Sequence, residues 1–328
     1  MLPSSAALKE IQNTHPIWKI GGKMFKTIKE ALGITYLRGT GQGGGGCISE
    51  GEIYNTDKGQ IFLKRNADPV ARQMFDGELE GLKAIIATGT VRAPEPHLVI
   101  DNPHGGAVLV MESLDMKDIK NHSAALGEQV ARMHLHNLEE IKKYHSCNTR
   151  VGQNRNCEAI MQFGFPVTTC CGFIPQDNTW CDDWLVFFSR KLQLQFTLIE
   201  KEFGNREVRE LWSFLQLKLP QFFKDAEVKP SLCHGDLWSG NVAETTDCPV
   251  IFDPSAFYGH FEFDLTIAKL HGGFDKQFWE SYYNVLPRAK GWNKRYKVYK
   301  LFGLLLEWNH FGNINRAAAV HLMRDLCW

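Results

Sequence analysis

A chain of 328 residues with 37 basic and 37 acidic side chains carries no general field for DNA, RNA or an anionic membrane, which sets nucleic acid aside as a partner. Its 44% hydrophobic and 23% charged composition excludes disorder and describes a globular protein, long for one core and comfortable for two lobes. No apolar run approaches the roughly 20 residues of a membrane span. The opening "MLPSSAALKEIQNTHPIWKIGGKMFK" lacks the apolar core and cleavage site of a secretory signal. Nine cysteines without a regular framework read as reduced thiols in a cytoplasmic protein.

In chain order, "MFKTIKEAL" (24–32) predicts a short helix ended by Gly33. "GTGQGGGGCISEG" follows, flanked by strand-like "EIYNT" and "GQIFLK", and reads as a hairpin with a flexible tip. "DPVARQMFDGELEGLKAIIATG" predicts a helix, and "APEPHLVI" and "GAVLVMESL" predict strands. After about residue 115 helical patterns dominate: "SAALGEQVARMHLHN", "LIEKEFGNREVRELWSFLQ" as one run, and "RYKVYKLFGLLLEWNH". Short strands around 232–253 interrupt them. The expected architecture is α+β in two lobes. A small antiparallel-sheet lobe with one main helix spans 24–115, a larger, mostly helical lobe spans 116–328, and a cleft lies between them. Residues 1–23 form an extension to which no role is assigned.

The densest chemistry lies in "LCHGDLWSGN", where Asp236 precedes Asn241 by five residues. "GNVAE" runs into the turn-like "TTD" and "CPVIFDP" runs out of it. A hairpin centred near Asp247 leaves Asn241 and Asp253 equally far from the turn, six residues on each side, and so facing one space. An amide oxygen and a carboxylate suit Mg²⁺, which takes one or two protein ligands and completes its shell with phosphate and water. Asp236 beside that metal could orient a hydroxyl and accept its proton. The competing reading, a polar turn with Asp236 capping amides, requires three independent spacings to coincide.

Lys64 in "QIFLKRN" shares a strand face with Phe62, opposite Ile61 and Leu63. Glu78 falls within the apolar helical stripe Ala71, Phe75, Leu82, Ile85, where an unpaired charge would be costly. Lys64 is its natural partner, with its ammonium reaching nucleotide phosphates; a solvated lysine and a Glu78 at the stripe's edge is the alternative. The glycine-rich tip, with Gly44, Gly45 and Gly46, could lay backbone N–H groups over phosphates. It is neither a Walker loop, lacking G-K-[ST], nor a dinucleotide fingerprint, since it precedes a strand. A merely flexible loop fits the glycines equally well.

Taken together, "GGGGCISEG", Lys64, Glu78, "VMES", "TTCCGFIPQ", "HGDLWSGN", "VIFDP", "GHFEFDLTIAKLHGGF" and "WNHFG" resemble the fructosamine 3-kinase and ketosamine 3-kinase family over roughly 24–328. The resemblance implies a protein-kinase-like fold akin to aminoglycoside phosphotransferases. It also implies ATP-dependent phosphorylation of the sugar 3-hydroxyl of ketoamines and glycated proteins, whose unstable product releases the free amine. It gives Asp236 as the catalytic base, Asn241 and Asp253 as Mg²⁺ ligands, and Lys64 with Glu78 as the phosphate-binding ion pair. Met111 and Glu112 become the hinge whose backbone receives adenine, with Trp238 and, more loosely, His310 beside the acceptor. The chain departs from protein kinases in reading His-Gly-Asp before the base and Asp-Pro where Asp-Phe-Gly would stand, and in having no activation segment.

Cys47 follows the four glycines, where backbone amides would favour a thiolate, so a reversible disulfide is expected, with the chain a monomer or a disulfide-sensitive homodimer. The alternative is a small residue that only packs. The Cys170, Cys171 and Cys181 spacing is poor for zinc. Two other functions are weighed: a kinase of another small alcohol, against which "CCGFIPQ" and "DLWSGN" argue, and a nucleotide-binding pseudokinase, against which the presence of Lys64, Asp236 and Asp253 argues.

Overall fold

A computed structural model describes residues 22–43, 49–103, 105–148 and 159–328. Helix α1 (Gly22–Leu32) ends at Gly33, whose φ of +61° is the left-handed region glycine enters freely. Strands β1 (Arg38–Gly39), β2 (Glu50–Thr56), β3 (Gly59–Asn66), β4 (Pro96–Asp101) and β5 (Ala107–Glu112) form one antiparallel sheet in the order β1-β2-β3-β5-β4. Period-two alternation decides what each face meets. Ile61, Leu63, Val108 and Val110 pack with Met24 and Ile28 of α1, while Leu109 and Met111, with Phe62 against them, join the core around helix α2 (Ala71–Ala87). Lys64 leaves β3 on that second face, and Ala71, Phe75, Glu78, Leu82 and Ile85 are all buried on α2.

The second part is mostly helical: α3 (Ser123–Asn148), α4 (Trp184–Phe203), α5 (Arg206–Phe223), α6 (Glu262–His271), α7 (Lys276–Val285), α8 (Trp292–Phe311) and α9 (Arg316–Cys327). Helix α8 buries Val298, Tyr299, Leu301, Phe302, Leu305 and Trp308 on several sides and is the central rod of this core. Three pairs of two-residue or three-residue strands are threaded through it. β6 (Cys170–Cys171) pairs with β7 (Ile174–Pro175), β8 (Ser231–Cys233) with β11 (Phe257–Gly259), and β9 (Val242–Glu244) with β10 (Pro249–Ile251). No helix among the described residues is long and apolar enough to cross a membrane.

Two sequence expectations change. The run 198–216 is not one helix: Gly204 turns left-handed at φ +59° and Asn205 caps α5 through the Val208 amide, so the chain reverses there. The glycine-rich stretch lies between β1 and β2, and the hairpin joining β2 to β3 is instead closed by the Asp57-Lys58 turn.

Candidate active site

The segment bearing Asp236 is held from behind by a buried carboxylate. Asp264, in the first turn of α6, accepts the His234 amide at 2.6 Å and the Gly235 amide at 2.9 Å. It also accepts His134 Nε2–H at 3.1 Å, and His134 Nδ1 meets the Tyr282 hydroxyl at 2.7 Å. Gly235 has φ +83°, and a Cβ there would lie 2.0 Å from the Ser255 carbonyl oxygen, so no other residue fits. His234 donates Nε2–H to the Phe252 carbonyl at 2.9 Å and accepts the Asp236 amide at Nδ1, 3.3 Å away. Burial holds its imidazole below the ordinary range, so the ring is a neutral strut.

Asp236 itself is pushed up to about 7, chiefly by burial, with the charges of Asp253 and Asp264 adding and hydrogen bonds from Asn241 and Trp238 opposing. Asn241 Nδ2 donates to Asp236 Oδ2 at 2.9 Å. Its carbonyl oxygen accepts no hydrogen bond among the described residues, so one amide steadies the carboxylate and leaves an oxygen for a cation.

The β9–β10 hairpin exists, but its register differs by one residue from the expectation. Val242 faces Ile251, and Phe252 donates its amide to Asn241 at 3.1 Å, so Asn241 opposes Phe252 and not Asp253. The Thr245–Cys248 turn has two central residues, with the Thr245 hydroxyl accepting the Asp247 and Cys248 amides. An even turn cannot centre on one residue. Asp253 reaches the cleft by another route: its backbone adopts φ +56°, the one left-handed non-glycine residue among those described.

That turn delivers the Asp253 carboxylate to Lys64, with Oδ1 2.8 Å from Nζ. The same ammonium donates to both oxygens of Glu78, at 2.8 and 2.9 Å. Burial alone would lower the lysine, but Asp253 and Glu78 outweigh it and hold it raised. Burial and the Asp253 charge push Glu78 up, whereas Lys64 outweighs burial at Asp253 and keeps that carboxylate low. One cation therefore ties β3, α2 and the β10–β11 loop together at the cleft.

Gly44, Gly45, Gly46 and Cys47, like residues 1–21, lie outside the described residues. The expected hinge, Met111 and Glu112, lies at the end of β5. Met111 is buried and its backbone is paired to β3 and β4, and the Glu112 amide donates to the Glu95 carbonyl at 2.8 Å. The Glu112 side chain is bound by Arg92 and by the Glu95 amide. A strand still within its ladder has few groups to spare. The Ser113 and Leu114 amides, just past the strand, find no protein acceptor among the described residues.

Trp238, two residues after Asp236, is half-buried, its ring folded over Gly240 and its centroid 6.1 Å from that of His271. His310 sits elsewhere on the rim: Nδ1–H donates to the Leu306 carbonyl at 2.8 Å and the ring packs 4.4 Å from Phe173. Phe173 belongs to the β6–β7 turn, whose buried Cys171 thiol is raised mainly by burial and next by the Asp236 charge. This hairpin therefore meets His310 through Phe173 and feels the Asp236 charge through Cys171.

Sequence reasoning passed over Asp264, Lys191 and Asn178. Asp264 had a legible signal, a carboxylate amid Phe263, Leu265 and Ile267 at a helix start. Lys191 is 1% exposed, donates to Asn178 Oδ1 at 3.0 Å and faces the Phe257 ring at 4.4 Å. Asn178 in turn donates to the Val167 carbonyl and the Thr169 hydroxyl, anchoring the chain that enters β6.

A sheet lobe and a helical lobe, with a lysine–glutamate pair on one side and an aspartate-asparagine loop on the other, define a phosphotransferase of the protein-kinase-like fold. In keeping with this, a crystal structure of an aminoglycoside phosphotransferase bound to AMP-PNP and hygromycin B is similar, with TM-score 0.54 and 14% identity over 93% of this chain and 98% of that one. A structure from Haemophilus somnus, named as a candidate fructosamine-3-kinase, is more similar: TM-score 0.74 and 21% identity over 93% of this chain and 97% of that one. The fructosamine kinase family model matches residues 23–327, and the chain belongs to that family. The ketosamine-3-kinase of Mus musculus is 46% identical over 303 residues, 91% of this chain and 98% of its own. The chloroplastic protein-ribulosamine 3-kinase of Arabidopsis thaliana is 34% identical over 89% of this chain and 83% of its own.

Proposed function

We propose that the protein is an ATP-dependent ketosamine 3-kinase that acts on fructosamine-type and ribulosamine-type adducts of amines and proteins. The observation that carries this, beside the family, is the convergence of Lys64, Glu78 and Asp253 within 2.9 Å next to the Asn241-held Asp236. In the reaction the sugar 3-hydroxyl oxygen bonds to the γ-phosphorus of ATP, the bond to the bridging oxygen breaks, and ADP leaves with that electron pair. The hydroxyl proton passes to Asp236. Phosphoryl transfer through a loose transition state asks mainly for alignment and charge neutralisation. Asp236 aligns the hydroxyl, Lys64 steadies the phosphates, and Glu78 keeps Lys64 in place. The Ser113 and Leu114 amides are the groups free to meet adenine, and Trp238 offers a flat face to the sugar. His310 and Phe173 line the acceptor side. The phosphorylated product is unstable and releases the amine.

The donor set fits Mg²⁺: a spare amide oxygen on Asn241 and a carboxylate on Asp253 that is 42% exposed and kept ionised by Lys64. A metal held there would supply neutralisation of phosphate charge. The testing experiment is ATP consumption with Mg²⁺ and a fructose-derived or a ribose-derived ketoamine of lysine, with phosphate located at the 3-oxygen by ³¹P NMR. Turnover of either adduct that vanishes in Asp236→Asn is expected; no turnover of either would overturn the assignment.

A further inference from the structure

Helix α2 presents two neighbouring faces to the site. One carries Glu78 to Lys64. The other carries Gly77 and Gly81, four residues apart in "GELEG" and therefore stacked on one side of the helix. Both glycines are buried. A Cβ on Gly77 would stand 2.6 Å from the Thr168 carbonyl oxygen and 2.9 Å from Thr169 Cα. A Cβ on Gly81 would stand 3.1 Å from Pro254 Cγ and 3.2 Å from Ala256 Cβ. The backbone of α2 thus lies directly on two segments of the helical part, and both lead into the site. Pro254 follows Asp253, whose carboxylate grips Lys64. Thr169 enters β6 and is tied down by Asn178, which Lys191 holds from below, and its hydroxyl reaches the Ala256 carbonyl at 3.2 Å.

We propose that Gly77 and Gly81 are positioning residues that seat α2 against the helical lobe and so fix Glu78 on Lys64. Neither glycine touches substrate; each acts through the Lys64–Glu78 pair. Two fixed supports under one helix leave Glu78 no room to swing away, because displacing α2 would open a gap along both. Conversely, a methyl group at Gly77 must push the helix off Thr168 by roughly 1 Å to reach ordinary contact. That movement is borne first by the adjoining Glu78. This deepens the phosphotransfer reading and rests on it.

The test is a double-mutant cycle in kcat/KM for ATP with the wild type, Gly77→Ala, Glu78→Ala and the double variant. Alanine is the better helix former, so a loss cannot come from weakening α2 itself. Gly77→Ala is expected to lose on the order of 10- to 100-fold, as a misplacement of about 1 Å does. In the Glu78→Ala background the same substitution should cost almost nothing more. Gly81→Ala, with its looser contacts, should show a smaller loss that also disappears without Glu78, and it carries the cycle if Gly77→Ala does not fold. Equal losses in both backgrounds, or undiminished turnover in both glycine variants, would overturn the proposal. A wild-type chain silent toward both ketoamines would instead strike the phosphotransfer reading, before any variant is compared.

Discussion

Asn241 donates its side-chain amide to both the backbone carbonyl and the carboxylate of Asp236, each at 2.9 Å. The Asp236 carboxylate is therefore oriented by the same residue whose side-chain oxygen accepts no hydrogen bond among the described residues. Asp236→Asn keeps the shape but can accept no proton. Turnover should fall on the order of 100-fold or more, the range for loss of a general base, while KM for ATP stays close to wild type because the Lys64 side is untouched. Initial rates over a range of ATP concentrations check both parts. Near-normal turnover would remove Asp236 from its role.

Asp253 holds Lys64 and, in the proposed reaction, would hold Mg²⁺ as well. Chelating divalent ions should stop turnover and Mg²⁺ should restore it. In Asp253→Asn, restoration should need more Mg²⁺, and maximal turnover should remain lower because one phosphate-side ligand has lost its charge. A Mg²⁺ titration of rate for the two proteins reads this directly; coincident curves would place the cation elsewhere.

Lys191 is an amine buried under aromatic rings, and burial brings it down to about 7, against the partial opposition of Asp177. Between that value and the ordinary lysine range the unfolded chain binds the extra proton, so stability rises with pH there. Below about 7 both states are protonated and the slope vanishes. Relative to Lys191→Met, the wild type should gain stability between pH 7 and 9 by up to about 1.4 kcal/mol per unit. Urea midpoints of the two proteins at several pH values test this, and a constant difference would show that Lys191 does not titrate in that window.

Arg295 and Glu262 form a fully buried pair, with Nε 2.6 Å from Oε2 and an amino group 2.7 Å from Oε1. Arg295→Met would leave Glu262 charged and unpartnered in the core. The expected destabilisation is about 3–5 kcal/mol. Replacing both residues by apolar ones should recover much of it, which denaturant unfolding of the single and double variants would reveal. Activity per folded molecule should hardly change.

The parts of the site read correctly from the chain are those set by local periodicity. Lys64 and Glu78 were placed by a strand's alternation and a helix's stripe, and both rules act within a few residues. Asp236 and Asn241 lie within one loop, so their spacing alone made them neighbours. The hairpin register is not legible in the chain, because turn length depends on whether one residue or two sit at the apex, and Thr245 settles that with its hydroxyl. The helix break at Gly204–Asn205 was hidden by apolar spacing that continues across it.

The amino-acid sequence by itself determined the two-part α+β layout, the lysine–glutamate pair and the aspartate-asparagine loop, because each depends on contacts nearby in the chain. Tertiary structure alone decided what supports them. Asp264 is 28 residues from Asp236, and Lys64 meets Asp253 across 189 residues. The glycines of α2 show their use only when the Thr168 backbone and the Pro254 ring arrive beneath them. Such contacts are set by how whole elements pack, and a pattern confined to one helix or strand carries no record of what will lie against it.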